Sequence, residues 1–491
     1  LSPAPYPDVP PPVLPDWMGQ LIDGTGGRFG NLTLSELSLP GSHDALTYDL
    51  SLTVSDGGID GMERLADFLH AASGGTARLL PGELEEFLRL QAKTQQLTLT
   101  QQLDNGVRFI DFRVTMEKGT AVWRGLHFME TARPALEYLR EVRSWMEDHP
   151  REIVVLFLSR EGNAQATGQD QYPGLAPWQK QRFWDQMVAV FDGLLIDSRL
   201  SPISSTTLSD LIRRNHRLIV YATDHEQLTG DSPFALDGSL VDNFWIGDAL
   251  LHEEESAARQ RNYLQTAVRR NRAAAERGGF TIMSLNTAGG GWQYEASALE
   301  RFLPWPLSDR RAREECARRV NIPGLTGWCP QTLLDVAQLA SYYDQIVIEE
   351  AYWAAVSGTP GAAFPNAFYL DALDYGGTIR TGTQTLFGSV RGGKEDLKQD
   401  TAYAYVDTVL AYNVYKACNV DIIVDDHLFD AGAQAGNNTE NRENGSWIQK
   451  LGPSDCSSLI KLLKSRRKNH PLSLWSDPKL GRRDDWPGAL H

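Results

Sequence analysis

The 491-residue chain carries a net charge of −16, with 42% hydrophobic and 22% charged residues. That composition is ordinary for a globular protein and excludes a collagen, a coiled coil or a chain disordered throughout. With no global basic field, nucleic acid is not an expected partner, and an anionic membrane would have to be met by local contacts.

The chain opens at Leu1 with LSPAPYPDVPPPVLPDW, too rich in proline for a helix or an inner strand. Residues 1–20 therefore read as an extended arm or flexible leader, and residues 21–491 as one body. Short apolar segments rich in β-branched residues follow, spaced by helical patterns. Strands are predicted near Leu34–Ser42, Arg108–Val114, Ala121–Leu126, Ile153–Ser159 and Leu218–Ala222, then near Phe280–Asn286, Ala367–Leu373 and Asp421–Val424. Helices are predicted over Ala132–Asp148, Pro177–Phe191, Glu253–Arg277, Thr332–Tyr343 and Thr401–Lys416. Strands alternating with helices imply a parallel sheet under helical cover. About eight such strands point to an α/β fold of the (β/α)8 TIM-barrel type, irregular or incompletely closed. Stretches near 50–100, 161–215 and 300–365 read as insertions that wall or lid one end.

No apolar run approaches the roughly 18 residues of a membrane span; Ile153 to Leu158 is typical of the longest. The four cysteines, Cys316, Cys329, Cys418 and Cys456, fit two disulfides, with Cys316–Cys329 and Cys418–Cys456 closing the shorter loops; four reduced thiols are the alternative. Zinc-type spacing is absent. The cysteines, the lack of a span and an opening at Leu1 instead of Met lead to an expectation of a secreted protein, with which sequons at Asn31, Asn437 and Asn444 are compatible.

Polar residues gather where predicted strands stop. Ser42-His43-Asp44 ends the first, Asp111 and Arg113 close the second, and His127 follows the third. The loops at this carboxyl-end rim are where barrels carry chemistry. Alone, a His-Asp turn is usually solvated, a strand-end arginine usually pairs at the surface, and a lone histidine is usually packed. Together they supply two proton carriers, a fixed cation and several carboxylates, the set that phosphodiester cleavage needs.

Several segments resemble one known family. LSELSLPGSHDAL is similar to the first-strand signature of the phosphatidylinositol-specific phospholipase C catalytic domain; NGVRFIDFRV resembles its second strand and AVWRGLHF the strand carrying its second histidine. REIVVLFLSRE, FTIMSLNTAGGGW and FPNAFYLDAL resemble later strands, in family order from about residue 33 to residue 418. The resemblance implies His43 as general base toward the inositol 2-hydroxyl, His127 as general acid toward the departing glycerol oxygen, and Arg113 as the phosphate partner. Asp44 and Asp111 would orient these groups. The implied products are diacylglycerol and an inositol cyclic 1,2-phosphate. In the calcium-dependent branch the position of Arg113 holds a carboxylate ligand, so the arginine implies no metal, and no cofactor is expected. For the carboxylate paired with the first histidine, Asp371 fits, with Asp425 the alternative. Arg160 and Asp248 match substrate contacts, whereas two further inositol-contacting positions fall on Thr223 and Leu250, which leaves the head group open. Trp292 resembles a membrane-contacting rim tryptophan, with a buried packing role the alternative, and a phospholipid at a membrane surface is the implied partner. The basic run Lys461 to His470 fits a solvated helix end better than a lipid contact. Competing readings are a phosphodiesterase for glycosylinositol anchors or glycerophospho-compounds, a metal-dependent glycerophosphodiesterase barrel, and an inactive lipid- or glycan-binding barrel. The last draws on Phe128, which stands where relatives usually have glycine.

Overall fold

The computed structural model describes residues 14–55, 83–117, 119–159, 176–223, 232–245, 280–285, 364–371, 384–385, 388–389 and 404–418, with scattered single positions elsewhere. Eight strands form one parallel sheet: β1 (Leu39–Ser42), β3 (Phe109–Asp111), β7 (Val154–Leu158), β8 (Leu218–Ala222), β9 (Leu236–Asp237), β10 (Val241–Trp245), β11 (Phe280–Ser284) and β12 (Ala367–Leu370). Their spatial order is β10-β11-β12-β1-β3-β7-β8-β9. The sheet curls into a barrel left open at one seam, between β9 and β10, which do not pair although a single 3-10 turn, Gly238–Leu240, joins them. The chain passes β8 so closely there that a side chain on Gly238 would meet the backbone of Ala222 and Thr223 at 2.6 Å.

Barrel strands buried on both faces need no alternation, and VVLFL of β7 and LIVYA of β8 are buried throughout. The interior is packed with rings. Phe109 stacks on Phe280 with centroids 5.6 Å apart, and Phe157 and Tyr221 join them at 5.9 Å and 6.0 Å. Because β1 and β12 separate β3 from β11 in the sheet, the Phe109–Phe280 contact runs through the barrel. Each such ring pair adds about 0.5–1.5 kcal/mol beyond burial.

Ala121–Leu126 does not belong to the barrel as expected. It falls on β5 (Trp123–His127), in a second, antiparallel sheet with β2 (Leu50–Val54), β4 (Val114–Met116) and β6 (Met129–Pro134), ordered β2-β6-β5-β4. The physical reason is connection length. Too few residues separate β4 from β5 for the helical crossover that a parallel pair requires, so the chain folds back as a hairpin through Gly119 at φ +73°. The short strands β9 and β10 supply barrel positions that the sequence pattern did not mark. The strand expected at Asp421–Val424 lies outside the described residues.

Helices over Ala135–Asp148, Pro177–Val190 and Ala404–Cys418 match three expectations to within a few residues; those near Glu253–Arg277 and most of Thr332–Tyr343 lie outside the described residues. The arm expected over residues 1–20 is helical from Trp17: α1 spans Trp17–Gly24 and buries Trp17, Met18 and Leu21. Its last proline is Pro15, ahead of the helix, where no amide is needed. Inside the stretches read as insertions, Pro177–Val190 and Leu208–Arg213 are helices between β7 and β8, and residues 83–92 and 99–104 form two helices after β2. Cys418 and Cys456 are joined in a disulfide with Cα atoms 5.5 Å apart; Cys316 and Cys329 lie outside the described residues. No described helix is long and apolar enough to cross a membrane.

At the amino-terminal end of the barrel, Arg108 and Glu152 form a buried ion pair, with Nη2 2.8 Å from Oε2. Arg108 donates to the carbonyls of Leu14, Pro15, Leu103 and Val107 and stacks over Trp145. Glu152 accepts the Met18 and Gly19 amides, so it caps α1 where Asp16 makes no side-chain cap.

Candidate active site

At the opposite end, six side chains named from the sequence come together: His43, Asp44, Asp111, Arg113, His127 and Asp371. Four of them ride on barrel strands or the residues just beyond. His43 and Asp44 follow β1, Asp111 ends β3 and Asp371 follows β12. Arg113 lies between β3 and β4, where the chain leaves the barrel, and His127 is delivered by the last residue of β5.

Asp371 Oδ1 lies 2.5 Å from His43 Nδ1. A carboxylate accepts, so Nδ1 carries the proton and Nε2 keeps its lone pair. That nitrogen faces Arg113 Nη2 at 2.9 Å. Burial, opposed by Asp44 and Asp111 but reinforced by Arg113 and His127, holds the His43 pKa down to about 4, so the imidazole is neutral at rest. His127 Nδ1 lies 2.6 Å from the Ala92 carbonyl. A carbonyl only accepts, which fixes Nδ1–H and aims Nε2 into the site.

Asp44 stands between the two imidazoles. Its Oδ2 is 3.2 Å from His43 Nε2 and 3.4 Å from His127 Nε2, and its Oδ1 is 2.8 Å from Arg113 Nε. Neither oxygen makes a well-aligned hydrogen bond among the described residues. Burial pushes this carboxyl up against the pull of Arg113 and both histidines. Asp111 goes the other way. Burial raises it, but Arg113, His43, the Ser159 hydroxyl and the Asp44 amide together bring it below the usual carboxylate range. Two neighbouring carboxyls are thus driven apart in acidity. The φ angles of Asp44 (+45°) and Phe128 (+58°) are left-handed. Phe128 adopts this conformation without moving His127 from the site, and its ring packs 4.8 Å from the imidazole.

His43, Asp44 and Asp111 offer ligand atoms within 4.8 Å of one another, a grouping that could hold a metal ion and that sequence reading had not found. The Arg113 guanidinium already contacts both carboxylates, Asp111 at 3.0 Å and Asp44 at 2.8 Å. A metal there would have to displace that cation, so the donor set does not fit one.

Arg160, Asp248, Trp292, Leu250 and Asp425 lie outside the described residues. The Thr223 hydroxyl is turned onto the Leu158 carbonyl at 3.1 Å. Sequence reading missed Ser159, whose hydroxyl donates to Asp111 and accepts from Arg113 Nε at 3.2 Å. Strand parity held the signal: Phe157 is the partner of Asp111, and Ser159 lies two residues on. It also missed Gln95 and, in the middle of β10 and at the end of β11, Asn243 and Ser284, which are hydrogen-bonded at 2.7 Å. Gln95 had no motif around it, and β10 was not read as a strand.

Residues 88–246 match the family model described as PI-PLC X 1. The PI-PLC X domain-containing protein 1 of Mus musculus is 33% identical over 143 residues, 29% of this chain and 38% of that protein. Its Homo sapiens counterpart is 36% identical over 146 residues, covering 29% and 40%. The chain thus spans about two fifths of the length of these curated relatives. Among solved structures, the phosphatidylinositol-specific phospholipase C of Staphylococcus aureus aligns with 80% of this chain and 97% of its own at 11% identity and a TM-score of 0.42. The enzyme of Listeria monocytogenes aligns with 73% and 94% at 13% identity and a TM-score of 0.38.

Proposed function

We propose that the chain is a metal-independent phosphodiesterase of the PI-PLC-like superfamily, which cleaves an inositol phospholipid into diacylglycerol and an inositol cyclic 1,2-phosphate; the match of residues 88–246 to the PI-PLC X 1 family model supports this reading. The observation that carries this reading is the convergence of Arg113 Nε, His43 Nε2 and His127 Nε2 on one anionic group, the Asp44 carboxylate. A phosphodiester presented from the rim meets the same cation, base and acid.

As the phosphate enters, Arg113 turns its fork toward the phosphate oxygens and releases His43 Nε2. His43 takes the proton of the 2-hydroxyl, and Asp371 at Nδ1 stabilises the imidazolium that forms. The hydroxyl and the phosphate belong to one molecule, so attack is intramolecular and no covalent enzyme adduct is needed. His127, paired with Asp44, gives its Nε2 proton to the leaving glycerol oxygen. Arg113 neutralises charge as phosphorus becomes five-coordinate. Arg160, Asp248, Asn243 and Ser284 are the candidates for hydroxyl contacts, and Trp292 for the lipid interface. Secretion and a peripheral membrane position belong to the same proposal.

The test is release of diacylglycerol from phosphatidylinositol micelles with and without a chelator. Activity that survives chelation supports the role of Arg113; activity abolished by chelation and restored by a divalent cation would instead place a metal on His43, Asp44 and Asp111. The pH dependence supplies a second expected result. The base works only when neutral, and its pKa is lowered to about 4. The acid limb of kcat/KM is therefore expected near pH 4, with activity lost as pH falls through it, rather than near the ordinary histidine value of about 6.5. A limb near 6.5 would show that His43 is not held neutral by burial and Arg113.

A further inference from the structure

Both imidazoles depend on one short segment that belongs to neither strand end. It starts at the last residue of the helix α2 (Glu83–Ala92), and it is buried where it touches the site. Ala92 offers its carbonyl to His127 Nδ1 at 2.6 Å. Three residues on, the fully buried Gln95 amide donates twice from Nε2, to the His43 carbonyl at 2.9 Å and to the Leu370 carbonyl at 2.8 Å. Its Oε1 accepts the Leu373 amide at 3.3 Å.

The position of these bonds matters. β1 and β12 pair in register as far as Ser42 and Leu370, and the His43 amide makes one bond more, to the Leu370 carbonyl at 3.1 Å. The paired register stops there, yet the next side chains, His43 and Asp371, meet at 2.5 Å. Gln95 extends the ladder by one rung with a side chain in place of a backbone. It grips the carbonyl of the base itself and that of the residue before its carboxylate partner. The segment is in turn fastened to the loop after Asp44. Thr47 Oγ1 accepts the Gln95 amide at 3.0 Å and the Thr94 amide at 3.2 Å, and donates to the Asp44 carbonyl at 2.9 Å.

We infer that Ala92–Gln95 is a positioning clamp for both proton carriers, with Gln95 setting the His43–Asp371 pair and the Ala92 carbonyl setting the His127 tautomer. This deepens the functional reading above and rests on it. Gln95 touches no substrate atom; it acts through the backbone of His43 and Leu370. A merely structural glutamine would affect stability alone, whereas a clamp must affect the tautomer and turnover of a protein that remains folded.

The test is Gln95→Met, which keeps the length of the side chain and removes both donors. Its readouts are the imidazole 15N shifts of His43 and His127, and kcat and KM on micellar phosphatidylinositol, after circular dichroism has shown a folded protein. The expected result is a His43 signal averaged between tautomers, an unchanged His127 signal, and kcat lowered about 10- to 100-fold with KM nearly constant. A folded variant with parental kcat and a parental His43 signal would overturn the clamp. If Gln95→Met does not fold, Thr47→Val removes the acceptor that seats Gln95, and the same shift of His43 is expected at smaller amplitude; parental tautomers and turnover in that variant would overturn it. If the parent does not act on phosphatidylinositol, the functional reading fails while the 15N arm still decides the clamp.

Discussion

Replacing His43 by alanine is expected to lower turnover of phosphatidylinositol by about 10²–10⁴-fold, the range typical of a lost general base. The expectation follows from the Nε2 lone pair that Asp371 and burial maintain, and that faces Arg113 Nη2 in the resting site. Arg113→Ala removes the cation that contacts Asp44 and Asp111, and is expected to cost about 10²–10³-fold, as for other groups aimed at developing transition-state charge. Arg113→Lys keeps the charge but not the planar fork, and should recover little. The double variant should lose less than the product of the two, because both residues act on one phosphate and His43 Nε2 itself faces Arg113 Nη2. Initial rates of diacylglycerol release check each figure. Parental turnover in His43→Ala would remove the histidine from the mechanism.

The largest stability effect is expected at the other end of the barrel. Glu152→Ala leaves Arg108 charged, fully buried and without its counter-ion, and uncaps the Met18 and Gly19 amides. Breaking a buried pair from one side costs about 3–5 kcal/mol. Burial pushes both partners toward their neutral forms, Glu152 up and Arg108 down, which makes the intact pair worth keeping only because every polar atom has a partner. Elsewhere an apolar pair of equal volume can replace such ions without loss. Here Arg108→Met with Glu152→Leu should remain destabilised, since the carbonyls of Leu14, Pro15, Leu103 and Val107 all lose the hydrogen bond from Arg108. Urea denaturation measures both variants. Turnover per folded molecule should be unchanged, because the pair lies at the amino-terminal end and the site at the carboxyl-terminal end.

Much of this architecture was legible because it is written in local pattern. The runs at Val154–Leu158 and Leu218–Ala222 are short, apolar and partly β-branched, the pattern of inner strands. The helices Ala135–Asp148 and Pro177–Val190 announce themselves by periodicity and by a leading proline. His43 and Asp111 were placed together because each lies at the carboxyl end of an expected strand, and a barrel brings those ends to one rim; Asp371 was named only through the family resemblance, with Asp425 the alternative.

What the pattern could not show depends on contacts between distant residues. Trp123–His127 has the composition of a barrel strand, and only its short link to Val114–Met116 assigns it to the antiparallel sheet. Trp17–Gly24 looked like the tail of a proline-rich arm, because the groups that fix it, Arg108 and Glu152, lie about a hundred residues away. Val241–Trp245 carries polar side chains at positions an inner strand would fill with apolar ones, and Gln95 serves the site only through carbonyls contributed by residues 43 and 370.

The central claim, that His43 and His127 drive an intramolecular displacement at phosphorus, is tested most directly by 31P NMR of phosphatidylinositol micelles turning over with the parent enzyme in the presence of chelator. The account predicts that the five-membered cyclic phosphodiester resonance appears first and that any acyclic inositol phosphate follows it. An acyclic phosphate formed from the first time point, with no cyclic ester before it, would contradict the mechanism and point to a water or metal-bound nucleophile instead.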